Sequence, residues 1–225
     1  QIASPTSQDL YCVAMQPGSQ GRAGLIGGAG ATILLWDGVS WIQQFTGWGD
    51  FHYFSACSAT SKEIMVAAPG GGKMAVWNGQ ELVQLDESRM DWGNYTQPGM
   101  WISNIKMRGD QDGWAVGEAG LLMHYDAGIW SVPDSPILNQ AQAVYSLDMV
   151  PGTNGRLIWF VGANGAVMRL EDGTFNGPWS IASEALNEVS FTSPDNGWAV
   201  GENGLLAHWD GSSWNVESGP ARGPQ

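Results

Sequence analysis

This sequence is poor in basic residues and in long apolar runs. Lysine and arginine together number 9 against 22 aspartates and glutamates, which gives a formal net charge of −13 over 225 residues. Nucleic acids and anionic membranes both attract clustered positive charge, so this balance argues against either as a partner. No apolar run approaches the ~20 residues of a membrane-spanning helix. Helical periodicity is limited to one turn at residues 183–188, so we expect no membrane insertion and almost no helix.

Motifs that mark familiar catalytic or cofactor sites are also missing. The chain contains no G-x-S-x-G elbow, no H-E-x-x-H, no C-x-x-C and no phosphate-binding loop. A sialidase-type site would need clustered arginines and a tyrosine paired with a glutamate. Three of the six arginines, Arg22, Arg108 and Arg156, fall in or beside hairpin turns of separate repeats, which gives no evidence of a cluster. Residues 110–113 resemble the start of a calcium loop, but the equivalent residues 194–197 read as a turn, so a turn is the better interpretation. We therefore expect no enzyme, no cofactor and no metal.

The two cysteines, Cys12 and Cys57, leave two alternatives open. They lie at nearly equivalent places in neighbouring repeats, so they form either a disulfide between the repeats or two buried free thiols.

The first residue is Gln1 rather than methionine, as in a chain whose signal peptide has been removed, although a cloned fragment would begin in the same way. The scarcity of lysine and the acidic composition also favour an extracellular protein.

An internal repeat is the strongest positive signal. The stretch DGWAVGEAGLLMHYD at residues 112–126 returns 84 residues later as NGWAVGENGLLAHWD at residues 196–210. That distance is twice a period of about 40 residues, which is typical of β-propellers. Equivalent turn residues recur five times along the chain, at Asp37, Asn78, Asp126, Asp172 and Asp210. Each repeat reads as four short strands joined by Gly-, Asn- and Asp-rich turns, which predicts an all-β, five-bladed propeller with four antiparallel strands per blade.

The repeat also predicts the organisation of the chain. Residues 1–9 form an extension, residues 10–217 a single propeller, and residues 218–225 a tail. The predicted blades are residues 10–45, 53–85, 101–132, 144–180 and 187–217. Counted in this way, each blade contains its own innermost and outermost strands, so no strand must be exchanged to close the ring unless residues before Leu10 supply one.

The repeat motif resembles that of the Asp-box, or neuraminidase-repeat, propellers; it reads G-W-A-V-G-E-x-G-L-L-x-H-W/Y-D-G-x-x-W. It is most similar to the branch typified by photosystem II assembly and stability factors, whereas the blade count is like that of the tachylectin-like lectins. The resemblance implies that the Asp of each turn caps backbone N–H groups and that the following aromatic residue packs between blades. These pairs are Asp37 with Trp41, Asp126 with Trp130, Asp172 with Phe175, and Asp210 with Trp214. The second repeat departs, because Asn78 replaces Asp and no aromatic residue follows.

The connections between repeats carry aromatic residues that the repeat does not require. The four connections are residues 45–54, 86–101, 132–142 and 176–185. The first two contain Trp48, Phe51, His52, Tyr53, Trp92, Tyr95 and Trp101. These residues either bind a sugar or protein partner or plug the central channel and cover the blade tops.

Three functions fit this sequence, and none requires catalysis. The leading hypothesis is an extracellular structural subunit that self-assembles into a homo-oligomer or filament through its tails and aromatic connections. The alternative is a lectin that binds glycans with the aromatic connections. The third is an assembly chaperone or protein-interaction module, which rests on likeness of fold alone.

Overall fold

The computed structural model describes residues 4–44, 54, 56–67, 74–96, 101–138, 140 and 142–217. Trp48, Phe51, His52 and Tyr53 lie outside these residues. Within the described part of the chain, the only helical segments are single 3-10 turns, and the regular structure is otherwise strand. No helix in that part has the length and apolar character needed to cross a membrane.

The strands form five sheets that follow one another along the sequence, one for each repeat. The first sheet contains β1 (Leu10–Met15), β2 (Gly24–Gly28), β3 (Ile33–Trp36) and β4 (Trp41–Gln44). The second contains β5 (Ala56–Ala59), β6 (Ile64–Ala67), β7 (Met74–Trp77) and β8 (Leu82–Gln84). The third contains β10 (Ile102–Met107), β11 (Asp112–Gly117), β12 (Leu122–Asp126) and β13 (Ile129–Ser131), with a short extra strand β9 (Met90–Asp91).

The last two sheets complete the series. The fourth contains β14 (Val144–Met149), β15 (Leu157–Gly162), β16 (Ala166–Glu171) and β17 (Thr174–Ser180). The fifth contains β18 (Leu186–Ser193), β19 (Asn196–Gly201), β20 (Leu206–Trp209) and β21 (Trp214–Glu217). In every sheet the four strands of the repeat pair in sequence order and antiparallel, which is the arrangement of a propeller blade.

The described chain divides into two compact units. The first consists of Gln1–Gly117 with Leu121–Pro133, and the second of Glu118–Gly120 with Asp134–Gln225. The first unit therefore holds the first three sheets, and the second unit holds the fourth and fifth sheets together with the single 3-10 turn at Glu118–Gly120.

Apolar side chains join neighbouring sheets within each unit. In the first unit, Leu25 and Ile33 of the first sheet share a buried cluster with Phe54, Ile64 and Val66. A polar contact links the second and third sheets, because the backbone N–H of Met107 donates to Ser58 Oγ at 3.0 Å.

The second unit is held together in the same way. Trp159 and Val161 of the fourth sheet share a buried cluster with Leu186, Val189 and Phe191 of the fifth. The backbone N–H of Phe191 also donates to Asp148 Oδ2 at 2.7 Å. The first and second sheets, and the fourth and fifth, thus bury apolar side chains against each other within their units, as expected because a single four-stranded sheet is too small to form a core alone.

The second strand of every repeat except the second ends in a glycine that permits a close backbone approach. At Gly162 and Gly201, a Cβ would overlap the carbonyl oxygens of Ala143 and Ala185, which directly precede the first strands of the fourth and fifth sheets. Those same oxygens accept hydrogen bonds from the N–H groups that follow each glycine, at 3.0 and 2.9 Å. The recurring glycine therefore reflects contact between strands one and two.

Candidate functional site

The described aromatic residues of the second connection do not form one surface. Strand β9 pairs parallel with the outermost strand β13, and the N–H of Val132 donates to the Asp91 carbonyl at 2.9 Å. Trp92 directly follows β9 at this edge, and Tyr95 is half-buried. Trp101, which is 43% exposed, precedes β10 at the opposite edge. Four strand spacings, about 19 Å in total, separate these edges, so the structure does not bring Trp92 and Trp101 together.

The turns at Asp37 and Asp210 are capped as the resemblance implied, and the turn at Asn78 is capped in the same way although its repeat departs from the motif. In the first sheet, Asp37 Oδ1 accepts from the N–H groups of Val39 and Ser40 at 2.8 Å each. In the fifth sheet, Asp210 Oδ1 accepts from the N–H groups of Ser212 and Ser213 at 2.8 and 2.9 Å. In the second sheet, Asn78 Oδ1 accepts from the N–H groups of Gln80 and Glu81 at 2.9 Å each. All three turns span four residues, so one side-chain oxygen reaches both donors.

These hydrogen bonds also hold the pKa of both aspartates below the ordinary value. For Asp37 the main cause is the backbone N–H of Ser40, followed by that of Val39. For Asp210 it is the Ser212 hydroxyl, followed by the backbone N–H groups. The carboxylates are therefore ionised acceptors with a structural task.

The turns at Asp126 and Asp172 differ from this expectation. In the third sheet Asp126 pairs with Ile129 in the ladder, and the chain reverses over Ala127 and Gly128 at φ values of 47° and 104°. In the fourth sheet Asp172 itself stands in the reversal at φ 49°, and its carboxylate accepts a hydrogen bond from Arg156 Nε at 2.6 Å. A two-residue hairpin needs positive φ at its central residues. These two repeats therefore keep the Asp-box sequence motif, but their turns have a different backbone geometry.

The two cysteines are free thiols in this structure and lie side by side. A hydrogen bond between the thiols, and then burial, raises the pKa of Cys57 far above its ordinary value. Its thiol is therefore protonated and a poor nucleophile at neutral pH.

One tyrosine has the neighbours that a sialidase-type nucleophile would need. Tyr125 donates its hydroxyl to Glu63 Oε1 at 3.2 Å and accepts from Arg89 Nη2 at 3.3 Å. Its side chain is only 3% exposed, however, and burial followed by the charge of Glu63 raises its pKa. A buried, neutral phenol is suited to joining the second and third sheets and unsuited to attacking a substrate.

The second unit contains a cavity between its two sheets that is walled by tryptophan. Its volume is about 280 Å³, and its lining comprises Trp159, Val167, Arg169, Trp179, Ile181, Trp209, Ser212 and Trp214. Strands β15, β16 and β17 supply one side, and the β20–β21 turn region supplies the other. This volume is close to the lower end of the ~300–1,000 Å³ range of ligand pockets. We call it the tryptophan cavity.

Ring packing fixes the shape of the tryptophan cavity. The ring centroid of Trp159 lies 4.8 Å from that of Trp209 and 5.5 Å from that of Trp214, the second pair edge to face. Phe191 stacks on the same indole at 5.8 Å with an interplanar angle of 9°. Trp159 is 1% exposed, whereas Trp179 at the margin is 47% exposed. The cavity therefore has a rigid inner wall and an accessible aromatic edge.

Three buried N–H donors of the cavity lining lack partners among the described residues. They are Trp159 Nε1, Trp214 Nε1 and Arg169 Nε. The indole of Trp209, by contrast, donates to the Pro194 carbonyl at 3.0 Å. A buried donor without a partner costs about 1–3 kcal/mol. All three nitrogen atoms have almost no accessible surface, so they lie in the packing behind the cavity wall rather than on its surface.

The charge of the arginine is already balanced. Arg169 Nη2 lies 3.1 Å from Glu171 Oε2, and its guanidinium carbon lies 5.8 Å from the ring centroid of Trp159. The side chain is thus held by an ion pair on one side and an indole on the other, and the cavity has little net charge.

Sequence reasoning missed this cavity because its residues are spread over different repeats. Trp214 and Trp209 read as repeat residues, and Trp159 as part of an ordinary second strand. Trp179 is the one lining residue that could have indicated the cavity from the sequence, because the repeat motif requires no aromatic residue at its position. The connection was expected to begin at residue 176, although the fourth blade was predicted to run to residue 180; β17 does continue to Ser180 and places Trp179 on a strand.

No cluster of three or more metal-ligating side chains occurs in the described residues. No protein-family model matches the chain, and no curated protein matches it in sequence. Among solved structures, the WD40 β-propeller domain of Doa1 is similar with a TM-score of 0.68 and 12% identity, covering 96% of this chain and 69% of that one. A structure of YCF48 bound to D1 peptide is similar with a TM-score of 0.48 and 14% identity, covering 96% and 82% respectively. The likeness to the Doa1 domain shows a β-propeller fold.

Proposed function

We propose that this chain is a non-enzymatic protein-interaction module and that the tryptophan cavity is its docking site. One observation carries the proposal: Trp159, Trp179, Trp209 and Trp214 wall a cavity of about 280 Å³, and Trp179 is 47% exposed at its margin. Large, rigid aromatic side chains such as tryptophan are enriched among the residues that dominate protein interfaces. We also propose that the five sheets are the blades of one five-bladed propeller of the Asp-box type, supported by one four-stranded sheet per repeat and three capped turns.

The self-assembling subunit and the lectin predicted from the sequence depended on the aromatic connections. Four of those seven aromatic residues lie outside the described residues, and Trp92 and Trp101 lie at opposite edges of a sheet. The third hypothesis, an interaction module, therefore has the better structural support.

Selection from a random peptide library displayed on phage tests the proposal. The wild-type chain should enrich peptides, and Trp179→Ala should weaken their binding by about 10-fold or more. Trp179 is an exposed residue at the cavity margin, so its removal leaves the buried wall in place. Trp101→Ala is the matched control, because it removes a similarly exposed tryptophan from the third sheet. Selected peptides that bind both variants equally, or no selection at all, would overturn the proposal.

A further inference from the structure

The two cysteines are offset by one residue in the repeat. Cys12 lies opposite Gly27 in the first sheet, and Cys57 lies opposite Val66 in the second. Counted back from the tryptophan that ends the third strand of each sheet, Val66 corresponds to Ile26 and not to Gly27. Successive side chains of a strand point to opposite faces of the sheet. Two cysteines at the same repeat position would therefore point the same way, whereas this offset turns them toward each other.

The two sulfur atoms meet between the first and second sheets. The thiols hydrogen-bond to each other, and both side chains are half-buried against the apolar cluster that joins these sheets. A Cβ at Gly27 would lie 2.9 Å from Cys12 Sγ and 3.3 Å from Cγ2 of Val66. The absence of a side chain at Gly27 thus leaves the space through which Cys12 reaches the second sheet.

Packing alone does not require sulfur at either position. The counterpart of Cys12 in the second sheet is Ala56, and the counterparts of Cys57 in the third and fourth sheets are Ile105 and Leu147. All three are buried apolar residues. The chain has only two cysteines, and both lie in this one contact. What distinguishes the pair from its counterparts is its thiol chemistry.

We propose that Cys12 and Cys57 form a reversible disulfide that fastens the first sheet to the second under oxidising conditions. Two thiols in contact need only a small rotation of their side chains to reach bonding geometry. The cysteines are 45 residues apart in the sequence, so the link restricts a long segment of the unfolded chain and stabilises the folded one. The link belongs to the first unit and is independent of the tryptophan cavity in the second.

A small disulfide such as oxidised glutathione is the oxidant. The hydrogen bond between the thiols raises the pKa of Cys57, so the thiolate of Cys12 attacks first. It breaks the S–S bond of oxidised glutathione and releases one glutathione thiolate, which takes up the proton that Cys12 lost. Cys57 then gives up its proton as its sulfur attacks Cys12 in the mixed disulfide and releases the second glutathione as a thiol. Two protein thiols are oxidised and one glutathione disulfide is reduced, and excess reduced glutathione reverses both steps.

The first test measures the redox state of the full chain after equilibration in glutathione buffers from oxidising to reducing. The chain is then unfolded and treated with N-ethylmaleimide, and its mass is measured. We expect two maleimide groups on the reduced chain and none on the oxidised chain, which remains monomeric. Trypsin cleavage after Arg22 and Lys62 places the cysteines on separate peptides. The oxidised digest should therefore contain residues 1–22 linked to residues 23–62.

The second test measures thermal unfolding of the same samples. The oxidised chain should unfold at a temperature about 4 °C or more above that of the reduced chain. Cys57→Val is the matched control, because Val189 is the counterpart of Cys57 in the fifth sheet. This variant should unfold at the same temperature in both buffers. Cys12→Ala, which introduces the residue of the second sheet, serves if Cys57→Val does not fold.

Refolding from urea in the same buffers reaches the oxidised state from the unfolded chain, so slow access to half-buried thiols does not mask the link. Two maleimide groups after both routes would overturn the proposal. So would glutathione attached to either cysteine as the end product, or a disulfide between two chains. A link that leaves the unfolding temperature unchanged or lowers it would also overturn it, because the folded positions of the sulfurs would then not suit a disulfide.

Discussion

The third and fifth sheets are built from nearly the same sequence, yet they bury different parts of it. The shared motif produces the same local structure in both. Trp114 pairs with His124 across β11 and β12, and Trp198 pairs with His208 across β19 and β20. The rings stack at 4.7 and 4.4 Å, with an interplanar angle of 28° in each sheet. The repeat sequence thus sets strand register and the contact between cross-strand side chains.

Burial does not follow the motif. Trp114 is 6% exposed, whereas Trp198 is 41% exposed. Trp159 occupies the equivalent position in the fourth sheet and is almost fully buried, because Phe191 and Trp209 of the fifth sheet pack on it. Covering by another sheet, rather than the motif itself, decides how much an equivalent tryptophan contributes to stability.

The largest effect on stability is expected from removing the buried member of the equivalent tryptophans, Trp159, and comparing it with removal of the exposed one, Trp198. Trp159→Ala should lower the free energy of unfolding by about 3–5 kcal/mol, because it removes a fully buried indole and leaves a cavity. Trp198→Ala should cost less than about 1 kcal/mol, because much of the side chain is already in water. Equilibrium unfolding in urea measures both, and Trp159→Phe serves if the alanine variant does not fold. An equal cost at both positions would mean that the face of the fifth sheet bearing Trp198 is covered in solution.

The next effect concerns Tyr125, whose counterpart in the fifth sheet is Trp209. Tyr125→Phe keeps the ring and removes the hydroxyl that joins Glu63 and Arg89, so two partly buried charged groups lose a partner. We expect a loss of about 1–2 kcal/mol in the free energy of unfolding. Tyr145→Phe in the fourth sheet is the control, because the described residues offer its hydroxyl no hydrogen-bond partner. A loss no larger than that of Tyr145→Phe would show that Glu63 and Arg89 do not need the hydroxyl.

The sequence determined the strands far better than the site. A period of about 40 residues with turn residues at fixed places is enough to predict four strands per repeat. Each repeat does form one sheet of its four strands, to which β9 is added in the third. The repeat could not predict β9, because two residues without alternation carry no strand signal. It also could not distinguish the four-residue turn at Asp37 from the two-residue turn at Asp126, because both contain Asp and Gly.

The tryptophan cavity was beyond reach for a different physical reason. Its tryptophans come from different strands of two sheets, and they meet because side chains of the fifth sheet, Phe191 and Trp209, pack on Trp159. Whether an indole N–H finds a partner depends on that packing. Trp209 reaches the Pro194 carbonyl, and Trp214 reaches none in the described residues.

The smallest expected effect is on pH dependence, because one side chain in the shared motif differs in charge. His124 Nε2 lies 2.8 Å from Asp112 Oδ1 in the third sheet, and His208 Nε2 lies 2.9 Å from Asn196 Oδ1 in the fifth. Burial raises the pKa of Asp112, but hydrogen bonds from His124 and Arg108 outweigh it and leave the pKa below its ordinary value. Only the third sheet therefore contains a titrating carboxylate at this place.

A depressed carboxylate pKa contributes stability above the unfolded-state value, about 3.9 for Asp, and loses it as the pH falls through the folded-state value. Asp112→Asn gives the third sheet the side chain of the fifth, and we expect it to cost about 0.5–1.5 kcal/mol at pH 7. Urea unfolding from pH 7 to pH 2.5 should show this difference shrinking below about pH 4. Asn196→Asp is the reverse exchange and should gain less, because Thr192 replaces Arg108 at the matching place in β18 and supplies no second cation. A difference between wild type and Asp112→Asn that persists unchanged at pH 2.5 would assign the effect to packing rather than to the charge of Asp112.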